Sequence, residues 1–206
     1  MDDEPDEAAK AEQREVQRLL GRCILQLQRY ERLLKALLSD REISGPVQQL
    51  RSAREQRETR IDRTTLGLLV QEFVGAYLVV GEAKDEPDTS DGAADGPATV
   101  SYRVTVAMSP DDHDRIARGL KELVALRNGL VHQFVEQHDL WSMAGCKRAR
   151  AALEEAFQRI ESHFQELVEI ARTHDAARQA MAQHLQSEAF RARLAKDAGA
   201  LKPTQR

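Results

Sequence analysis

Aromatic residues make up only 4% of this 206-residue chain, too few for the sheet faces of an all-β protein or for platforms that stack single-stranded nucleic acid. Cysteine is almost absent: Cys23 and Cys146 stand far apart, with no metal-ligand spacing. They read as free thiols of a reducing compartment, each a small buried apolar residue. No apolar run reaches the roughly eighteen residues of a membrane span, so no membrane partner is expected. The opening residues, Met1-Asp2-Asp3-Glu4-Pro5-Asp6-Glu7, are acidic and lack the layout of a signal peptide. A cytoplasmic location is the expectation.

Charge is plentiful. Asp, Glu, Lys and Arg make up 31% of the chain and hydrophobic residues 41%, as in a globular protein rich in solvated helices. The length suffices for a real core in one or two domains. The net charge of −4 is unevenly spread: residues 1–15 and 82–95 each carry −5, leaving +6 on the rest. Both acidic segments are expected to be disordered, and the mildly basic remainder permits an anionic partner.

Apolar periodicity organises most of what remains. Val16, Leu19, Leu20, Cys23, Ile24, Leu27, Tyr30, Leu34 and Leu38 recur at three- and four-residue steps, predicting a long amphipathic helix. After Gly45-Pro46, a polar helix carries Arg51, Arg54, Arg57, Arg60 and Arg63. Arginine at every third position drifts around a helix, so the series reads either as a solvated face or as a track for an RNA backbone. A second core helix begins near Thr64 as its cap and runs through Leu66, Leu69, Val70, Phe73 and Val74. The stretch from Gly81 to Pro97 reads as a linker, and the alternation of Val100, Tyr102, Val104, Val106 and Met108 as a strand. Residues 76–80 are its expected hairpin partner. Ser109-Pro110-Asp111-Asp112 starts a third core helix running to about Gln137. Trp141 is expected to pack beneath the following turn. A fourth helix carries Cys146, Leu153, Phe157, Ile160, Phe164 and Val168, and a fifth, less apolar piece spans about Asp175 to Lys196.

The expected fold is all-α: an up-and-down four-helix bundle with a small β-hairpin insertion and an extra C-terminal helix. The expected organisation is an acidic disordered tail over 1–14 and the bundle over 15–172. A flexible acidic insertion over 82–98 interrupts the bundle, and a helical extension covers 173–206.

One charge sits on the wrong face. With Arg127 at zero on a wheel of about 100° per residue, Ile116, Leu120, Leu123, Val131 and Phe134 all fall within about 40° of it. A guanidinium so placed needs an anion, from this protein or from outside. Glu31 occupies a matching place on the first helix, about 40° from Leu27. Glu31 and Arg127 are therefore expected to approach each other inside the bundle. The pair then either fixes helix register or holds the guanidinium fork for a phosphate. Tyr30, beside Glu31, is counted with it as a supporting residue. Asn128 and His132 are i,i+4 neighbours, able to share a hydrogen bond or a water. On the same wheel His132 lies about 140° away from Arg127. His113, His138, His163, His174 and His184 are scattered and read as solvated, and no metal site or cofactor is expected.

Arg127-Asn128 followed by His132 resembles the R-x(4–6)-H ribonuclease motif of the HEPN superfamily (higher eukaryotes and prokaryotes nucleotide-binding), including bacterial HEPN-like proteins. The resemblance covers about residues 15–172. It implies a four-helix bundle with the motif on a late core helix and an acidic residue, here Glu31, on an early one. The acidic insertion and its hairpin depart from that pattern, which puts the substrate surface in doubt. The resemblance implies metal-independent RNA cleavage by attack of the 2′-hydroxyl on the adjacent phosphate. His132 is then general base or acid, Arg127 stabilises the phosphorane and Asn128 orients the histidine. It further implies a homodimer and a toxin or defence role with a protein antitoxin or regulatory partner. The alternative is a catalytically silent HEPN-like module for dimerisation or RNA binding.

Overall fold

The chain is described here from a computed structural model over residues 4–81 and 99–192. The insertion expected to be flexible over 82–98 lies outside the described residues, as do 1–3 and the end of the extension, 193–206. The fold is all-α with little sheet. Helix α1 spans Glu4–Asp40, α2 Leu50–Asp62, α3 Leu66–Glu72, α4 Pro110–Asn128, α5 Phe134–Gln137 and α6 Met143–Gln186.

Three of these boundaries differ from expectation. Residues 4–15 were expected to be disordered, yet α1 begins at Glu4. Its first turns are rich in Ala, Glu, Gln and Lys, all strong helix formers, and Arg150 anchors them through a 3.1 Å ion pair to Glu12. The C-terminal extension is largely the continuation of α6, which runs unbroken to Gln186. Thr64 closes α2 by donating its hydroxyl to the Arg60 carbonyl. The N-cap of α3 is Thr65, which makes no side-chain capping bond. At α4 the cap is as read: the Ser109 hydroxyl accepts the Asp112 amide at 3.1 Å, and Pro110 follows.

Helix directions follow from which ends touch. Glu12 pairs with Arg150, Gln26 with Glu161 and Asp40 with Arg178, in the same order along both helices. Thus α1 and α6 run parallel. Helix α2 folds back along α1, with Arg54 on Asp40 and Lys35 on the Asp62 carbonyl. Helix α4 descends, from His113 beside the Val74 carbonyl to Arg127 beside Leu27 and Leu66. The core is formed mainly by α1, α3, α4 and α6, through residues such as Tyr30, Leu34, Leu69, Leu123, Leu153 and Ile160. Cys23 and Cys146 are free and buried, as expected. Burial pushes the Cys23 thiol up to about 11, which leaves it protonated and unreactive.

The expected hairpin is not formed. The strand divides around Val104 into β3 (Thr99–Arg103) and β4 (Val106–Met108). Strand β4 does pair with β2 (Leu78–Val80), but in parallel. A parallel pair cannot be closed by a tight turn between its strands, and these two lie 26 residues apart, from Val80 to Val106. Strand β3 instead pairs antiparallel with β1 (Glu42–Pro46), from Glu42↔Arg103 to Pro46↔Thr99. Gly45-Pro46 concealed β1, since both residues are disfavoured in strands.

Trp141 does not pack beneath its turn; it is 88% exposed. Polar bonds hold that turn instead. Asp139 accepts from the Trp141 amide at 3.0 Å and from the Ser142 hydroxyl at 2.6 Å, and Ser142 caps α6 by accepting the Gly145 amide. A Cβ at Gly145 would lie 1.8 Å from the Asp139 carbonyl oxygen, so only glycine fits there.

Candidate functional site

Helix α4 does not continue as a regular α-helix past Asn128. Gly129–Gln133 forms a π-helical turn before α5 resumes. A π turn closes its hydrogen bonds over five residues instead of four, so one extra residue is taken up without advancing the helix face. That single residue is worth about 100° of rotation. His132, at about 140° from Arg127 on a regular wheel, therefore swings back to about 40°. The two residues become neighbours across one turn.

The geometry follows. Arg127 Nη1 lies 3.3 Å from His132 Nε2 and donates to Asn128 Oδ1 at 3.1 Å. A guanidinium can only donate, so His132 Nε2 must present its lone pair, with the ring proton on Nδ1. Asn128 and His132 are exposed, whereas Arg127 is half-buried. The structure thus brings together Arg127, Asn128 and His132.

The supporting residues are placed differently. Glu31 does not pair with Arg127. It forms a 2.9 Å i,i+4 ion pair with Lys35, a partner visible in the sequence spacing. The expected buried pair fails because Arg127 stops at the edge of the core, where its hydrogen bonds are exposed. Tyr30 turns into the core and is fully buried there. Burial, reinforced by Glu166, raises its phenol above its ordinary range, which leaves it neutral and away from the site. Arg127→Ala is accordingly expected to change folding stability by less than about 1 kcal/mol in urea denaturation. A truly buried pair would cost about 3–5 kcal/mol.

Glu31 and Arg127 nonetheless share one cleft of about 480 Å³. Its apolar lining is Ile24, Leu27, Leu66 and Val131; Gln28, Glu31, Arg32 and Arg127 supply the polar groups. No protein-family model, curated protein or solved structure matches the chain.

Four arginines of the α2 series are already held within the chain. Arg51 pairs with Glu55, Arg54 with Glu58 and Asp40, and Arg60 with Glu72, at 2.9–3.1 Å. Arg57 donates to the Glu42 carbonyl at 2.8 Å. Among the described residues, Arg32 and Arg127 line the cleft without a carboxylate partner. Sequence periodicity gave no signal for Arg32.

His174 differs from the solvated reading. It is 3% exposed and shares a 2.7 Å hydrogen bond with the Tyr77 hydroxyl, while its Nε2 is buried without a partner. It continues the apolar stripe of α6 after Ile160, Phe164, Leu167 and Ala171, a spacing from which its burial could have been read. Burial lowers its tendency to protonate, and Arg178 adds to that effect. It lies in the core, away from the Arg127 cleft. Among the described residues, no cluster of three His, Cys, Asp or Glu side chains is arranged to hold a metal ion. No helix among them is long and apolar enough to cross a membrane.

Proposed function

We propose that the chain is a metal-independent endoribonuclease of the HEPN type, acting through Arg127, Asn128 and His132. The approach of the Arg127 guanidinium to within 3.3 Å of His132 Nε2 carries this reading. It joins a fixed cation to an imidazole lone pair, the two groups that suit phosphoryl transfer to a 2′-hydroxyl.

In the free protein Arg127 occupies the lone pair of His132 Nε2. A phosphate offers the guanidinium two charged acceptors in place of one neutral nitrogen. Arg127 turns to it, and Nε2 is released. His132 then takes the proton of the 2′-hydroxyl as the 2′ oxygen bonds to phosphorus. Arg127 stabilises the added charge on the phosphorane oxygens, and Asn128 keeps the guanidinium and the ring in register. The bond from phosphorus to the 5′ oxygen breaks, and the imidazolium returns its proton to that oxygen. The products are a 2′,3′-cyclic phosphate and a 5′-hydroxyl.

The test is single-stranded RNA with excess chelator. Fragments with cyclic phosphate and 5′-hydroxyl ends are expected, and RNA carrying a 2′-deoxy nucleotide at the cleaved position should stay intact. Intact RNA in both cases removes the enzyme reading, leaving a catalytically silent dimerisation or RNA-binding module.

The active form in this reading is a homodimer. Val135, 71% exposed and one turn beyond Val131, supports a face that a second copy covers. A toxin or defence role in the cytoplasm fits an enzyme that needs no cofactor, and such an enzyme needs a protein antitoxin or regulatory partner to restrain it. The buried free thiols of Cys23 and Cys146 suit a reducing compartment.

A further inference from the structure

A phosphate alone does not account for the cleft beside Arg127. Its apolar lining includes Leu27 and Leu66, both buried, and gives nothing to an anion. At about 480 Å³ the cleft falls within the roughly 300–1,000 Å³ typical of small-molecule sites. Apolar walls with a few convergent polar groups suit a flat heterocycle bearing hydrogen-bonding edges.

We propose that this cleft is a nucleoside subsite that seats the base on the 5′ side of the scissile phosphate and prefers guanine. The proposal takes its context from the ribonuclease reading above. The base lies against Leu27, Leu66 and Val131, and its 3′-phosphate meets Arg127. Arg32, which has no ion pair among the described residues, supplies charge for the adjoining phosphate. Selectivity comes from Glu31. Its Oε1 is held by Lys35 at 2.9 Å, which fixes the carboxylate, while Oε2 has no hydrogen-bond partner among the described residues. A carboxylate only accepts hydrogen bonds. Guanine offers it two parallel donors, N1–H and N2–H. Uracil offers one donor flanked by two carbonyls that repel it. Reading a base on its pairing edge requires that it be unpaired, so the substrate is single-stranded RNA.

Calorimetric titration with guanosine 3′-monophosphate, uridine 3′-monophosphate and inorganic phosphate tests the subsite without cleavage. The guanosine nucleotide is expected to bind about tenfold or more tightly than the uridine nucleotide, the discrimination a good bidentate pair provides. Glu31→Gln, which replaces one acceptor oxygen by a donor, should erase that gap. Val131→Phe should fill the cleft and reduce the guanosine nucleotide to the affinity of inorganic phosphate. Val131 is partly exposed, so the larger ring has room without opening the core. Thermal melting of each variant checks folding, and Glu31→Gln decides alone if Val131→Phe does not fold. Equal affinities for the two nucleotides, no binding by either, or a gap that survives Glu31→Gln overturns the subsite. Guanosine preference without RNA cleavage upholds the subsite and overturns only the catalytic reading. Cleavage without base preference does the reverse.

Discussion

Replacing His132 by alanine is expected to slow RNA cleavage in chelator by about 10²–10⁴-fold, the range of a positioned general acid–base group. Thermal stability should hardly change, because His132 is exposed and meets the Arg127 guanidinium through an exposed hydrogen bond. Arg127→Lys should fall in the same direction despite keeping the charge. A lysine ammonium lacks the planar fork that holds two phosphate oxygens at once. The double substitution should cost little more than the worse single one, since the two groups act on the same transition state. Initial rates on a fluorescent oligonucleotide measure all three. A His132→Ala chain that cleaves at the wild-type rate ends the catalytic assignment.

The second large effect concerns stability. Tyr77 is fully buried, stacks on Phe73 at 4.9 Å between ring centres, and provides the hydrogen bond to His174 Nδ1. Tyr77→Ala should destabilise the fold by about 3–5 kcal/mol, lowering the melting temperature by about 6–20 °C for a chain of this size. Part of that cost is polar. With Nε2 already unpartnered, losing the tyrosine leaves neither ring nitrogen of His174 bonded. Tyr77→Phe isolates this part and should cost about 1–3 kcal/mol.

His174 also gives stability a pH dependence. Its proton affinity is depressed in the folded state, chiefly by burial. The unfolded chain therefore binds the proton more readily. The contribution of His174 is fully present above the unfolded histidine value near 6.5 and is lost as pH falls from there towards the folded value. Urea midpoints measured from pH 7.5 downward should fall over that window. Their slope should flatten in His174→Phe. An unchanged slope would mean that this histidine titrates alike in both states.

Periodicity made the long helices legible because their apolar residues repeat every three to four positions. The stripe from Val16 to Leu38 and the cap at Ser109 are cases in point. Strand pairing was less legible. Each strand has only three to five residues, and whether β2 meets β4 in parallel depends on tertiary packing rather than on either strand's composition. The candidate site was legible as residue types and not as geometry. A wheel assumes constant rotation, so it separated Arg127 from His132 and drew Arg127 towards Glu31. The π turn at Gly129–Gln133 reverses the first inference, and the position of Arg127 at the exposed edge of the core, with Lys35 on Glu31, removes the second. Asp139 held its turn through hydrogen bonds that hydropathy does not record, so Trp141 remained outside.

The parallel pairing of α1 with α6 has a consequence during synthesis. Gln26 and its partner Glu161 are 135 residues apart, so at roughly 5–20 residues per second α1 leaves the ribosome about 7–27 s before the surface it packs against. For that interval the stripe of Leu19, Cys23, Leu27, Tyr30 and Leu34 lacks its mate. The nascent chain exposes that apolar stripe until α6 arrives, and slowed translation between α2 and α6 would lengthen its exposure.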